Sequence, residues 1–220
     1  MSGPFDWKPG EHGVAIGQTG SGKTWGMKNG AIPYWMSTVG RVGIIDVEEG
    51  RDFSEPIFKP RSLGTLLKWS AGDKPFLARV QANVEDAEMF LNELSDGLLS
   101  QGHDMYLYLD ESSYWTPHGN AYPKYDALQA RARKRNISVI SATQRPQLAS
   151  KTVYTQSIHR IWYYVDQYDV ENWLSRSAKP VFDHMPEVPY GSYSFLQQHP
   201  DSTITRHAPV PKYDWDAWTK

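Results

Sequence analysis

The sequence predicts an α/β fold with a mostly parallel central sheet flanked by helices. Two observations carry that expectation. Short apolar runs of strand length alternate along the chain with stretches of helical character. A glycine-rich turn joins the first apolar run to the first helical stretch, as a strand–turn–helix unit requires.

Taken in order, the first strand is expected at 13–17, and a helix from Lys23 to about Trp35, with Gly30 and Pro33 late in its course. RVGIID, residues 41–46, reads as a buried strand. Residues 47–62 read as loop, because Pro56 and Pro60 break any helix. A short helix is expected at 63–69 and a third strand, FLARV, at 76–80. Between 84 and 99, Val84, Ala87, Phe90, Leu91, Leu94 and Leu98 recur near a 3.6-residue period, which predicts a helix. MYLYL at 105–109 is a strand, 112–123 a polar aromatic loop, 125–134 a helix, and 137–142 the next strand. RIWYYV at 160–165 is a further strand, followed by a helix near 170–175. From Pro180 onward the chain is rich in Pro, Tyr and Trp, and a hairpin is expected at 190–197. The expected organisation is a core over 1–180 and a C-terminal extension over 181–220, packed on the core or on a neighbouring subunit.

Composition narrows the function classes. The 220 residues are 40% apolar and 22% charged, a globular balance. Lys and Arg number 23 against 25 Asp and Glu, so a uniformly basic nucleic-acid coat is excluded and any such contact needs a local patch. With no cysteine, a disulfide framework, a thiolate metal site and a cysteine nucleophile are all excluded. No apolar stretch approaches a membrane span, and the start, MSGPFDWKPGEHG, lacks the apolar centre of a secretory signal, so a cytoplasmic protein is expected. Nine Trp and thirteen Tyr supply large core anchors, with some left for interface or ligand stacking. His103, His118, His159, His184, His199 and His207 show no metal-ligand spacing.

Residues 17–24 read GQTGSGKT and fit G-x-x-x-x-G-K-[ST], the phosphate-binding loop. Gly17, Gly20 and Gly22 let the backbone turn tightly, so that the N–H groups of the loop, with Gln18, Thr19 and Ser21 between the glycines, converge on a phosphate. The helix starting at Lys23 points its positive end at the same anion. Lys23 would reach the β and γ phosphates, and the Thr24 hydroxyl would ligate Mg²⁺. These residues predict ATP and Mg²⁺ as the bound species. The N-K-x-D guanine signature is absent, which favours ATP over GTP.

MYLYLDE, residues 105–111, is an apolar strand ending in two acids. Asp110 would complete the Mg²⁺ shell, and Glu111 would orient and deprotonate an attacking water. A competing acidic site is Asp46 with Glu48 and Glu49, but its spacing from Thr24 fits the strand after the first helix. Farther on, ISVISA ends in Thr143-Gln144-Arg145-Pro146, where Gln144 could sense the γ-phosphate.

In this order, GQTGSGKT, RVGIIDVEE, MYLYLDE, ISATQRP and IHRIWYYVDQYDVENWL resemble the FtsK–HerA superfamily of DNA-pumping ATPases over roughly residues 13–175. The resemblance implies a RecA-like P-loop NTPase core of the ASCE type, hexameric rings, and sequence-independent translocation of double-stranded DNA. It places the sensor strand between the phosphate-loop strand and the Asp-Glu strand. It also implies that Arg160 is the arginine finger reaching a neighbouring subunit, with Arg145, Arg133 and Arg135 as rivals. The chain is expected to be a bare motor, without the membrane region, winged-helix domain or β-barrel domain of other members. That size resembles the genome-packaging ATPases of membrane-containing icosahedral viruses, with capsid vertex or portal proteins as further partners in the host cytoplasm.

DNA contacts are expected from the basic cluster Lys124, Arg131, Arg133, Lys134 and Arg135, of which Arg131, Lys134 and Arg135 share a helix face by i, i+3, i+4 spacing. Tyr114, Trp115 and His118, after the catalytic acids, could line a pore. Trp7 and Lys8 could stack on the adenine. The alternatives are an assembly or secretion ATPase that moves protein, a small-molecule kinase and a nucleotide-gated scaffold.

Overall fold

The computed structural model describes residues 3–47, 53–115, 122–174 and 178–218. Its first strand, β1 (His12–Ile16), is buried at every position. A continuous helical run follows the glycine-rich turn: α1 (Lys23–Gly26), a π-helical turn (Met27–Ala31) and α2 (Ile32–Thr38). This run passes the expected end near Trp35. Pro33 lies in the first turn of α2, and the π turn before it, closed by Ile32 N–H on Met27 O, shifts the hydrogen-bond ladder where proline offers no donor.

β2 (Arg41–Asp46) comes next. The stretch read as loop holds a 3-10 turn (Pro56–Phe58) and a two-residue edge strand, β3 (Pro60–Arg61), where a proline is tolerated. α3 (Leu63–Ser70) is capped by Ser62, whose hydroxyl accepts from Thr65 N at 3.1 Å. β4 (Phe76–Gln81), α4 (Ala87–Gln101) and β5 (Met105–Leu109) lie close to where the periodicity put them. α5 (Pro123–Arg131) ends earlier than expected: the chain tightens into a 3-10 turn (Ala132–Arg135) that closes on Asn136, left-handed at φ +54°. The spacing that put Arg131, Lys134 and Arg135 on one α-helical face therefore does not hold. β6 (Ile137–Thr143) follows.

A helix that the sequence reading missed, α6 (Lys151–Gln156), is capped by Ser150, which accepts from Val153 N at 3.1 Å. It delivers β7 (Ser157–Trp162) three residues earlier than expected, because pairing with β1 starts at Ser157 opposite His12 and ends at Trp162 opposite Ile16. α7 (Gln167–Asp169) runs into a π turn (Val170–Leu174); Ser175, the expected end of this helix, lies outside the described residues. α8 (Lys179–His184) precedes the hairpin of β8 (Phe195–Gln198) and β9 (Ile204–His207). The hairpin lies later than 190–197 because Tyr193 is left-handed at φ +54°, which breaks an extended run.

Among the described residues the strands form one sheet in the order β3-β4-β2-β5-β6-β1-β7-β8-β9. All neighbours from β3 to β7 are parallel, and β8 and β9 add an antiparallel edge. β6 lies between β1 and β5, where the resemblance places the sensor strand.

Alternate residues of each strand feed two cores. Val14, Ile16, Leu107, Leu109, Val139 and Trp162 pack under α3, α4 and α5 on one face. Ala15, Ile44, Tyr106, Tyr108, Ile140 and Tyr163 pack against Met27, Ile32 and Trp35 on the other, with Phe5, Trp7 and, from the tail, Phe195 and Trp215.

Two residues make this packing testable. A Cβ added at Gly26 would lie 1.8 Å from the buried Tyr163 hydroxyl, so Gly26→Ala should destabilise the fold by about 1–3 kcal/mol. Tyr163→Phe in the same chain should recover part of that loss in denaturant unfolding. His12 is fully buried, its Nδ1 accepting from Val139 N at 3.0 Å; burial, aided by the charge of Arg133, pushes its pKa down to about 4. The unfolded chain binds this proton more readily, so the stability that neutral His12 supports is present above pH 6.5 and lost as pH falls toward 4. His12→Asn, which keeps an acceptor near the same place, should flatten urea-denaturation stability across that window.

Candidate active site

The carboxyl ends of β1, β5 and β2 meet at one edge of the sheet, where α/β folds place their ligands. The loop leaving β1 is held from both sides: Gly17 N donates to Thr143 O beside it on β6 (3.1 Å), and Gln18 N donates to Tyr164 O beyond β7 (2.8 Å). Gly20 and Gly22 are left-handed at φ +76° and +102°, conformations that glycine adopts without steric cost. At Gly17 the need is space, because a Cβ would fall 2.6 Å from Tyr163 Cβ.

Lys23 is 4% exposed and donates from Nζ to Gly17 O at 2.7 Å; the same Nζ lies 3.9 Å from Glu111 Oε1. The Thr24 hydroxyl donates to Asp110 Oδ2 at 3.2 Å. Tyr108 OH (2.8 Å) and Glu111 N (3.1 Å) donate to Asp110 Oδ1. Burial raises the Asp110 carboxyl to about 7; the Tyr108 hydrogen bond and the Lys23 charge pull the other way, and Glu111 and Asp46 add to the rise. Glu111 turns off the strand at φ +46°, a conformation rare outside glycine that surrounding structure must enforce and that concentrates at functional sites.

The rival acid is differently placed. Asp46 Oδ2 accepts from Arg79 Nε at 3.0 Å and from Arg79 Nη2 at 2.5 Å, in a buried ion pair. Glu48 and Glu49 lie outside the described residues.

Lys23, Thr24 and Glu111 line a cleft of about 600 Å³, within the range of small-molecule sites. Its other wall was not foreseen. Trp25 and, from the tail, Tyr193, Pro209 and Val210 face the same space, and Trp25 Nε1 fastens the tail by donating to Val210 O at 2.8 Å. Only the Pro, Tyr and Trp richness of the tail hinted at this, with no spacing to mark the positions.

The remaining candidates are distributed differently. Gln144 lines a separate cavity of about 210 Å³ with Gln18 of the loop, Arg145, Asp166 and Asp169. Arg145 makes a two-pronged bond to the buried Asp169, both arms at 2.9 Å, and Gln147 donates to the same carboxylate at 2.7 Å. Arg160 lies opposite Val14 on β7, its guanidinium 4.3 Å from the Tyr154 ring centre and bonded to Ser157 O and Tyr154 O at 3.2 Å. It is not among the residues lining the cleft of its own chain.

Arg135 donates to Ser100 O and Gly102 O at the amino edge of the sheet, about 20 Å from the loop along β6. The Arg133 backbone packs beside Gly10 at the same edge. Lys124 pairs with Asp96 of α4 at 2.7 Å, apart from the other basic residues.

Trp7 and Lys8 do not line that cleft. Trp7 is buried and stacks on His159 at 4.7 Å over the space that Gly13 leaves open, and Lys8 O accepts from Ser138 near the start of β6. Tyr114 is exposed; His118 and the Trp115 side chain lie outside the described residues.

No protein-family model matches the chain, and no curated protein matches its sequence. Solved structures do match. The genome packaging NTPase B204 of Sulfolobus turreted icosahedral virus 2, in complex with ATP-γ-S, superposes with a TM-score of 0.73 at 22% identity, over 93% of this chain and 100% of that one. The chain has a P-loop NTPase fold. B204, the DNA-packaging ATPase of Sulfolobus turreted icosahedral virus, gives 0.75 at 22% identity over the same shares. The bacterial conjugative coupling protein TrwBΔN70 gives 0.65 at 8% identity, over 94% of this chain and 86% of that one. These likenesses are of fold, and the fold is the one that the resemblance read from the sequence implies.

A carboxyl whose folded pKa lies above its unfolded value favours the protonated form, so ionised Asp110 destabilises the metal-free fold. That loss is absent below the unfolded pKa near 4 and complete above about 7. Asp110→Asn should therefore raise the Tm of chelator-treated protein by several degrees at pH 8, and the gain should shrink at pH 5.

Proposed function

We propose that this chain is a Mg²⁺-dependent ATPase that assembles as a ring, expected to be a hexamer, and drives double-stranded DNA during viral genome packaging. The observation that carries the reading is the convergence of Lys23, Thr24, Asp110 and Glu111 at one edge of the sheet, three of them lining one cleft beside the glycine-rich loop. The loop N–H groups of Gly17 to Thr24 and the Lys23 ammonium would bind the β and γ phosphates.

The Thr24 hydroxyl and the Asp110 carboxylate, 3.2 Å apart, are hard oxygen donors of the kind Mg²⁺ takes. They fit that ion and would hold it; bound there, it would neutralise charge on the phosphates. Glu111 would take the proton of a water whose oxygen attacks the γ-phosphorus while the bond to the β–γ bridging oxygen breaks. Gln144, beside Gln18, would sense the γ-phosphate. Arg160, placed outside its own cleft, would serve a neighbouring copy's site as the finger.

The fold neighbours support this reading through what they are: a genome packaging NTPase holding ATP-γ-S, a DNA-packaging ATPase and a conjugative coupling protein. Arg131, the last residue of α5, and Arg133, Lys134 and Arg135 in the turn after it are the basic residues offered to DNA phosphates, with Lys124 apart from them. Capsid vertex or portal proteins are the remaining partners, in the host cytoplasm. Among the described residues no helix is long and apolar enough to cross a membrane.

The test is ATP turnover with and without linear double-stranded DNA at low salt, for wild type and Glu111→Gln. DNA should raise the rate, added salt should erase that gain, and the substitution should lower turnover by about a hundredfold or more. Turnover indifferent to DNA but raised by a coat protein would replace DNA with protein as the cargo. No turnover at all would overturn the enzyme.

A further inference from the structure

The phosphate-binding end accounts for half of the cleft. The other half is aromatic and apolar and comes mostly from the tail. Trp25, which follows Thr24 directly, is 42% exposed, and Tyr193 is 49% exposed, although both are large apolar side chains. Tyr190, at 58%, places its hydroxyl beside Gly20, and its ring meets that of Tyr164 edge-on at 5.3 Å. Exposed aromatic side chains thus gather around one loop.

The backbone supports a built feature rather than a chance one. Tyr193 is held at φ +54°, where a tyrosine is strained, and that geometry lays its ring against Gly22, 2.7 Å from where a Cβ would stand. Pro209 and Val210, which line the same cleft, are tied down by the Trp25 Nε1 bond to Val210 O. An aromatic ring and a short apolar wall that line one cleft beside a phosphate loop suit a flat heteroaromatic ring attached to a phosphate chain.

We propose that Tyr193, with Trp25, Pro209 and Val210, forms the nucleobase subsite of the cleft, holding the base of the nucleoside triphosphate by stacking. The tail is then part of the substrate site. The inference rests on the phosphate-loop reading above, and its test separates the two.

The experiment compares equilibrium binding of ATP and of inorganic tripolyphosphate, each with Mg²⁺, to wild type, Tyr193→Phe and Tyr193→Asn. Asparagine tolerates the left-handed backbone, so the last variant removes the ring and keeps the turn. Tyr193→Asn should weaken ATP by about tenfold or more and leave tripolyphosphate within about twofold. Tyr193→Phe, which keeps the ring, should bind ATP as wild type does. Equal losses for both ligands would mean that Tyr193 acts through Gly22 on the phosphates, and would overturn the subsite. Unchanged ATP binding in Tyr193→Asn would overturn it as well. If wild type binds neither ligand, the phosphate-loop reading itself fails and the subsite falls with it.

Discussion

The carboxyl end of β1 is held on two sides at once. β6 takes the Gly17 N–H and the segment after β7 takes the Gln18 N–H, while Tyr163 N returns a bond to Ile16 O. A chain clamped in this way has little room for side chains, which is why Gly17 sits against Tyr163 Cβ. The same Tyr163 lies under Gly26 of α1, so one buried ring sets both where the loop begins and how closely the following helix docks. The direction of Lys23 and Thr24 follows from that docking.

Charge is sorted across neighbouring strand ends. β2 and β5 are adjacent, and each ends in an aspartate at the same edge. Asp46 is neutralised by Arg79. Asp110 instead faces hydroxyls and a backbone N–H, and its burial makes ionisation costly. A carboxyl kept in that state is poised for a cation, which would reverse the balance that raises its pKa. On the proposed reading, the fold tolerates a destabilising group where a metal ion would be held.

The local signals that reached the sequence reading share one property: each is a short contiguous pattern whose meaning is local. GQTGSGKT fixes a backbone shape within eight residues, and MYLYLDE marks a buried strand and its end. The Lys23–Glu111 and Thr24–Asp110 juxtapositions follow once both strands belong to one parallel sheet. What escaped depends on distant partners. Trp7 had the composition of a stacking residue, but the opening above Gly13 and the face of His159 drew it into the core. β7 starts at Ser157 because His12 is there to pair with it, and the Ser150 cap gave α6 a start without an apolar period to announce it. The tail carried aromatic residues without spacing, so Tyr193 and Val210 became readable only when folded against Trp25.

On the proposed reading, the glycine-rich loop binds triphosphate and Lys23 serves it. A crystal structure with Mg²⁺ and ATP-γ-S is the most direct measurement. The γ-phosphate should lie against the loop N–H groups, with Lys23 Nζ turned from Gly17 O to the phosphates and Thr24 and Asp110 beside the ion. A nucleotide bound elsewhere, or one bound with Lys23 still on Gly17 O, would contradict that reading.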